Sequence, residues 1–231
     1  MGEAPRSLTE LSARVVACRA CPRLVAFRER VAVEKKRSFQ SEAYWGRPVP
    51  GFGDPNARLV VIGLAPAAHG SNRTGRVFTG DRSAGFLVRG LYDAGFASQP
   101  TSEHRGDGLR YQGLYLTAAV RCVPPENRPS PEELGRCRPF LEGELALLRE
   151  ARAYLALGGF AWDATLDAAA KVHGVARPKV PFAHGACAPL GPGRPLVFGS
   201  YHPSPQNTNT GRLTPEMFRR LMTTVKATWA E

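Results

Sequence analysis

Residues 58–81 read RLVVIGLAPAAHGSNRTGRVFTGD. The segment opens as uninterrupted hydrocarbon and then empties into a loop carrying Gly63, Gly70, Gly75 and Gly80. A continuous apolar run bounded by Pro55 and Pro66 is the pattern of a strand buried on both faces, as in a parallel sheet. The glycines behind it permit close backbone approach to a ligand. Neither G-x-G-x-x-G nor G-x-x-x-x-G-K is present, so this is no nucleotide-binding fingerprint. The first turn, Leu64 to Ala68, has no polar side chain, and the first carboxylate is Asp81.

Strand and helix patterns alternate from here onward. AGFLVRGLYDAG (84–95) reads as a helix capped by Asp81 or Ser83, and GLYLTAAV (113–120) as a second strand. Ser130, Pro131 and Glu133 form a strong helix start, predicting a helix to about Arg152. AYLALG (153–158) is a third strand, Gly159 to His173 a helix, and RPLVFGSYH (194–202) a fourth strand. Thr214-Pro215-Glu216 opens a last helix. The alternation predicts an α/β fold whose parallel sheet is covered by helices on both faces. Ligands then bind beyond the carboxyl ends of the strands. Two polar loops leave that rim, residues 63–81 and YHPSPQNTNTGR (201–212).

Upstream, Ser7 to Glu10 reads as a capping box opening a helix that carries LSARVVACRACPRLV (11–25), bent or broken at Pro22. A basic stretch, FRERVAVEKKRSF (27–39), and a Gly- and Pro-rich loop, YWGRPVPGFGDPNA (44–57), complete this extension.

The chain has 231 residues, enough for one substantial core with elaborations. Lys plus Arg outnumber Asp plus Glu by 31 to 20, a net charge of +11 that favours a polyanionic partner. No apolar run is long enough to span a bilayer, and the opening residues lack the pattern of a secretory signal, which makes a cytoplasmic protein with no membrane partner the expectation. In that compartment clustered cysteines more often bind metal than form disulfides. Cys18 and Cys21 form a C-x-x-C pair, and Cys122 and Cys137 follow about a hundred residues on. Four thiolates suit a structural zinc or an iron-sulfur cluster, and spacing does not separate the two. Pro124, Pro125 and Pro139 suit stiff loops around these ligands. Cys187 stands alone and reads as a small buried hydrophobe.

His202 follows the fourth strand directly, and Pro203 and Pro205 stiffen a polar loop containing Ser204, Gln206 and Asn207. Phe78 suits a stacking platform or a buried loop anchor. Asp81 suits a catalytic carboxylate or a helix cap.

GLAPAAHGSNRTGRVFTGD, LTAAVRCVPPENRPSPEEL and YHPSPQNTNTGRLT, with the four cysteines in order, together resemble the type-B, or fifth, family of the uracil-DNA glycosylase superfamily. The resemblance spans nearly the whole chain. It implies a single domain over residues 1–231, with residues 1–56 as a cluster-binding extension. The implied fold is a three-layer α/β/α sandwich around a four-stranded parallel sheet, with Cys18 and Cys21 on the N-terminal helix. The implied cofactor is a [4Fe-4S] cluster on Cys18, Cys21, Cys122 and Cys137. The implied activity is base excision repair: hydrolysis of the N-glycosidic bond of uracil in DNA by a monomeric, nucleoid-associated enzyme. On this resemblance His202 donates a hydrogen bond to the base oxygen as it turns anionic, and Phe78 stacks on the flipped base. Gly63, Leu64, Ala65, Pro66, Ala67 and Ala68, with His69 and Gly70, would line the base pocket or meet the DNA, while Ser204, Asn207 and Arg212 would contact DNA around the lesion.

Two departures are informative. Better-known superfamily members carry Asp, Asn or Glu in the first turn, where this chain has only Leu, Ala and Pro. They also carry an Asn base reader where this chain has Ala118. Water activation is therefore expected from Asp81, with Asn127 as a second polar candidate. Loss of the amide reader is expected to admit hypoxanthine and other deaminated or modified bases. Two rival readings follow from charge and fold alone: a non-catalytic, metal-stabilised nucleic-acid-binding module, and a hydrolase of small phosphorylated metabolites.

Overall fold

Four five-residue strands supply the centre of the molecule, buried at every position except the half-buried Leu196. The computed structural model describes residues 4–229, so the ends of the expected 1–231 domain lie outside the described residues. In chain order the elements are helix α1 (Leu8–Val16), α2 (Pro22–Glu34), strand β1 (Phe52–Gly53), β2 (Leu59–Gly63), α3 (Ser71–Thr74), α4 (Arg82–Asp93), β3 (Leu114–Ala118), α5 (Pro131–Leu147), β4 (Ala153–Leu157), α6 (Gly159–His173), β5 (Cys187–Pro189), β6 (Leu196–Ser200), α7 (Pro205–Thr208) and α8 (Pro215–Ala227). Short 3-10 turns lie at Arg37–Phe39 and Pro125–Asn127.

The sheet order is β1-β3-β2-β4-β6-β5. The central four strands pair in parallel, and β1 and β5 pair antiparallel at the two edges. The sheet thus has six strands rather than the expected four. The two additions are too short to show as periodic runs: β1 has two residues and β5 three. At Gly53 a Cβ would lie 2.3 Å from the carbonyl oxygen of Leu114, so only glycine lets β1 reach the sheet edge.

Strand alternation divides the core. Leu59, Val61, Leu116 and Leu155 face α4 and α8, through Leu87, Leu91, Phe218 and Val225. Val60, Ile62, Tyr154 and Val197 face α5 and α6, through Leu141, Leu145, Trp162 and Leu166. Each fully buried aliphatic side chain contributes about 1.5–3 kcal/mol. A sheet apolar on both faces needs a helical layer on each, and the three-layer arrangement follows.

Several local expectations need correction. Cys18 and Cys21 are not on a helix: α1 ends at Val16, and Cys21 is the extended cap of α2, with Pro22 in its first turn. Proline suits that position because its missing N–H is one the helix leaves unbonded anyway. Cys137 and Pro139 lie within α5 rather than in a stiff loop, and α5 stops at Leu147, short of Arg152. Cys187 is exposed on the edge strand β5, not buried. Asp81 caps α4, its Oδ1 accepting from Ala84 N at 2.9 Å. The Ser130–Glu133 capping box opens α5 in both directions.

Beneath the sheet, Arg121 and Glu144 form a buried ion pair, 2.7 Å apart and 1% and 2% exposed. Thr117 Oγ1 donates to Glu144 Oε2 at 2.6 Å, joining β3 to α5. Removing one member leaves a buried charge uncompensated. Glu144→Ala is expected to lower stability by about 3–5 kcal/mol. Urea unfolding of wild type and variant checks this.

Candidate active site

The turns after β2, β4 and β6 open on one rim because the strands are parallel. A cavity of about 590 Å³ lies there. Leu64, Ala65, Pro66 and Ala67 form one wall. Their backbone is fixed by the sheet: Val120 N donates to Leu64 O at 2.8 Å, and Asn72 N to Ala67 O at 3.0 Å. Ala118, at the end of β3, also lines the cavity and offers no hydrogen-bonding side chain.

Phe78 and Asp81 enter from the far end of the same loop. Phe78 sits at φ +45°, a left-handed conformation costing of order 1–3 kcal/mol for such a residue. The strain is held by packing on both sides. The ring lies so close over Gly63 that a Cβ there would be 2.8 Å from Cζ, and it stands 6.4 Å, centroid to centroid, from the His202 ring. Thr79 Oγ1 bonds Ser102 Oγ at 2.8 Å, and Gly80 N donates to Ser102 O at 2.8 Å. Arg76 braces the same segment, its Nε on Thr79 Oγ1 at 2.9 Å and its two Nη atoms on Asp107 at 2.8 and 2.7 Å.

Burial raises the Asp81 carboxyl above its ordinary pKa, opposed by the N–H groups of Ala84 and Ser83 and by the Arg73 guanidinium. Burial lowers the His202 imidazole, which keeps it neutral near pH 7. The two groups reach one cavity from opposite loops. Asn127 also lines it, in the left-handed conformation at φ +56°.

The 201–212 loop is not wholly irregular. α7 forms after Ser204, whose carbonyl accepts from Asn207 N and Thr208 N, both at 2.9 Å. Ser204, Asn207 and Arg212 line the cavity, but the Asn207 side chain is engaged, Nδ2 donating to His202 O at 2.8 Å. It therefore fixes His202. Arg212 lies 4.7 Å over the Tyr201 ring.

Gly63, Ala68, His69 and Gly70 do not line the cavity. Gly63 backs Phe78. His69 Nδ1 is 3.1 Å from the Tyr44 hydroxyl, and its carbonyl accepts from Arg73 Nε at 2.8 Å. Gly70 touches the carboxylate: a Cβ there would be 1.9 Å from Asp81 Oδ2.

The sequence pattern did not mark the turn after β4. Leu157, Gly158 and Phe160 line the cavity, with Phe182 and Tyr201. Phe160 is 65% exposed at the mouth. The available signal was topological, since a strand parallel to β2 and β6 must deliver its following turn to the same rim.

Cys21, Cys122 and Cys137 pack in one buried cluster with Leu24 and Val120, and Ala65 of the cavity wall packs against it. None of the cysteines is in a disulfide. Burial raises the thiols of Cys21 and Cys122 and pushes Cys137 up to about 12, and Cys18 bears electrostatically on both Cys21 and Cys122. Arg28, 2% exposed, donates Nη1 to Cys122 Sγ at 2.9 Å. Its Nε has no partner among the described residues. The nearest carboxylate, of Glu29, is 3.7 Å away and is shared with Arg19. A buried cation so placed fits an anionic, thiolate-bound centre, and four soft sulfur donors fit zinc or an iron-sulfur cluster. As arranged, no three Cys, His, Asp or Glu side chains among the described residues converge on a single ion.

A family model described as "Uracil DNA glycosylase superfamily" matches residues 50–226. A Type-5 uracil-DNA glycosylase of Thermus thermophilus is 56% identical over 213 residues, covering 92% of this chain and 94% of the relative. One of Mycobacterium tuberculosis is 52% identical, covering 91% and 78%. A Type-4 uracil-DNA glycosylase of Archaeoglobus fulgidus is 33% identical over 114 residues, 49% of either chain.

Gly70→Ala is expected to force the Asp81 carboxylate from its seat. Single-turnover excision of uracil should fall about 10- to 100-fold, and the melting temperature should drop by a few degrees because the displaced carboxylate no longer caps α4; the two measurements together check it.

Proposed function

The chain belongs to the uracil-DNA glycosylase superfamily, in its type-5 branch, and from that premise we propose that it is a DNA repair hydrolase excising uracil and other deaminated bases. The carrying observation is one cavity that receives a desolvated carboxylate and a neutral imidazole from opposite loops. The target nucleotide leaves the stack and its base enters between Phe78 and the Leu64–Ala67 wall. Asp81 orients a water and takes its proton as the oxygen bonds to C1′. The C1′–N bond breaks, and its electron pair leaves with the base, where the imidazole N–H of His202 hydrogen-bonds the anionic oxygen. The departing base is then protonated by solvent, leaving an abasic site. Asn127 is a second polar group for the water or the sugar. Ser204 and Arg212 meet the backbone, and the net charge of +11 supports duplex DNA as the partner. The enzyme acts as a monomer in the cytoplasm. No described helix is long and apolar enough to cross a membrane.

Ala118 in place of an amide reader leaves the base edge without a paired partner, and a pocket without such groups discriminates mainly by size. Uracil opposite guanine and hypoxanthine are therefore both substrates. Oligonucleotides carrying uracil, hypoxanthine, xanthine or thymine, scored for alkali-labile abasic sites, test the reading. No cleavage of any would remove it and favour a binding module.

His202→Ala is expected to lose about 10²–10³ in single-turnover rate. Asp81→Asn is expected to lose about 10²–10⁴. Because activity needs the ionised carboxylate and burial raises its pKa, the rate should climb with pH through a limb above the ordinary aspartate range. A pH-rate profile from pH 4 to 8 checks the sign.

Cys18, Cys21, Cys122 and Cys137 would hold a [4Fe-4S] cluster, whose contribution here is structural, tying the segment before α2 to β3 and α5. Cys122→Ser is expected to lose iron, visible absorbance and melting temperature together. A colourless wild type carrying zinc would exchange the cluster for that ion.

A further inference from the structure

The loop that presents Asp81 begins and ends on one guanidinium. Arg73 Nε donates to His69 O at 2.8 Å, and Nη2 donates to Gly80 O, also at 2.8 Å. Gly80 directly precedes Asp81, so the two carbonyls bracket the loop. The fit is close: a Cβ on Gly80 would stand 2.4 Å from Arg73 Nη2. Arg73 is 7% exposed, and two further contacts of its guanidinium come from the N-terminal extension. Nη1 pairs with the Glu42 carboxylate, and the guanidinium carbon stacks 3.9 Å from the Phe39 ring centroid. The same extension bonds the loop elsewhere, with Trp45 N on Arg73 O at 2.8 Å and Gly46 N on Asn72 O at 3.1 Å. Residues 39–46 lie before the segment that the family model matches, which begins at residue 50.

We propose that Arg73, seated by Phe39 and Glu42, is the positioning residue of Asp81, and that residues 39–46 therefore belong to the catalytic machinery. The inference rests on the catalytic reading of Asp81 above. Arg73 does not reach the base or the water. It closes the loop so that the carboxylate lies against Gly70 with its Oδ1 on Ala84 N, and its positive charge acts on that carboxylate. A planar fork can hold two carbonyls and one carboxylate at once, and a lysine ammonium at that depth cannot hold all three in the same geometry.

The test is single-turnover excision from a uracil–guanine duplex by the full chain. Wild type is timed first, and its failure to excise would sink the proposed function before any variant is read. Arg73→Lys is expected to slow the reaction about 10- to 100-fold, with the half-saturating enzyme concentration unchanged. The deciding comparison is the same substitution in an Asp81→Asn background, where the loss should shrink to within about twofold because the group it acts through is gone. An equal loss in both backgrounds would make Arg73 a general scaffold residue and overturn the inference. Glu42→Gln, a half-exposed site whose change spares the fold, should give a smaller loss of the same kind, and carries the comparison if Arg73→Lys melts early. If Asp81→Asn is too slow to time, the acid limb decides. The groups bearing on Asp81 are Arg73 and the N–H groups of Ser83 and Ala84, with the His202 imidazole on the same cavity. Arg73→Gln removes the cation among them, so the limb should move to higher pH, and an unmoved limb would overturn the inference.

Discussion

A carboxylate must stay available for chemistry where burial works against its charge. Asp81 stands at the rim of a parallel sheet, against Gly70 and on a cavity that Ala65, Pro66 and Ala67 also line, and desolvation raises its pKa. Much of the surrounding structure bears on that problem. The first turn of α4 gives Asp81 the N–H groups of Ser83 and Ala84, Gly70 leaves room for Oδ2, and Arg73 supplies the only nearby cation among the described contacts. A helix cap and a catalytic base are usually alternative explanations of an aspartate. Here the capping bond takes Oδ1 while Asp81 also lines the cavity, so the two readings do not exclude each other.

The same constraint explains what was legible in the sequence. β2, β3, β4 and β6 announced themselves as apolar runs, because strands buried on both faces carry few polar positions, here Thr117 and Ser200 near two strand ends, to break the pattern. Their parallel order placed the 63–81 and 201–212 loops on one rim. β1 and β5 were invisible, since two or three residues at an edge are fixed by pairing and not by periodicity. The helix across Cys18 and Cys21 was misread for a related reason: apolar spacing continues through Ala17 and Ala20, while the backbone is set by Pro22. Phe160 and the turn after β4 carry no polar signature, and only the sheet order brings them to the cavity. Pairing of Arg73 with Glu42 joins residues 31 apart and leaves no local trace.

The cysteine site and the cavity share a wall. Ala65 packs on the group formed by Cys21, Cys122 and Cys137, and Asn72 Nδ2 donates to Arg28 O at 3.3 Å while Arg28 reaches Cys122. A centre remote in sequence from the rim loops is thus adjacent to one of them in space. The cysteine cluster gathers three segments behind the first turn, and Arg23 ties two of them directly, its Nε and Nη2 on Glu133 at 2.8 and 2.7 Å.

That first turn also bears on specificity. A wall of Leu64, Ala65, Pro66 and Ala67 presents backbone and methyl groups, and Ala118 presents a methyl where an amide could read a base edge. On the proposed function, binding energy comes from stacking on Phe78 and from exclusion of water, neither of which distinguishes one planar base from another strongly. Discrimination shifts to the step before entry, the cost of extruding a nucleotide, which is least for mismatched pairs. A deaminated base opposite its original partner is such a mismatch. A permissive pocket paired with a rigid, desolvated carboxylate is therefore self-consistent: the duplex selects the damaged base, and the loop held by Arg73 acts on whatever the duplex releases.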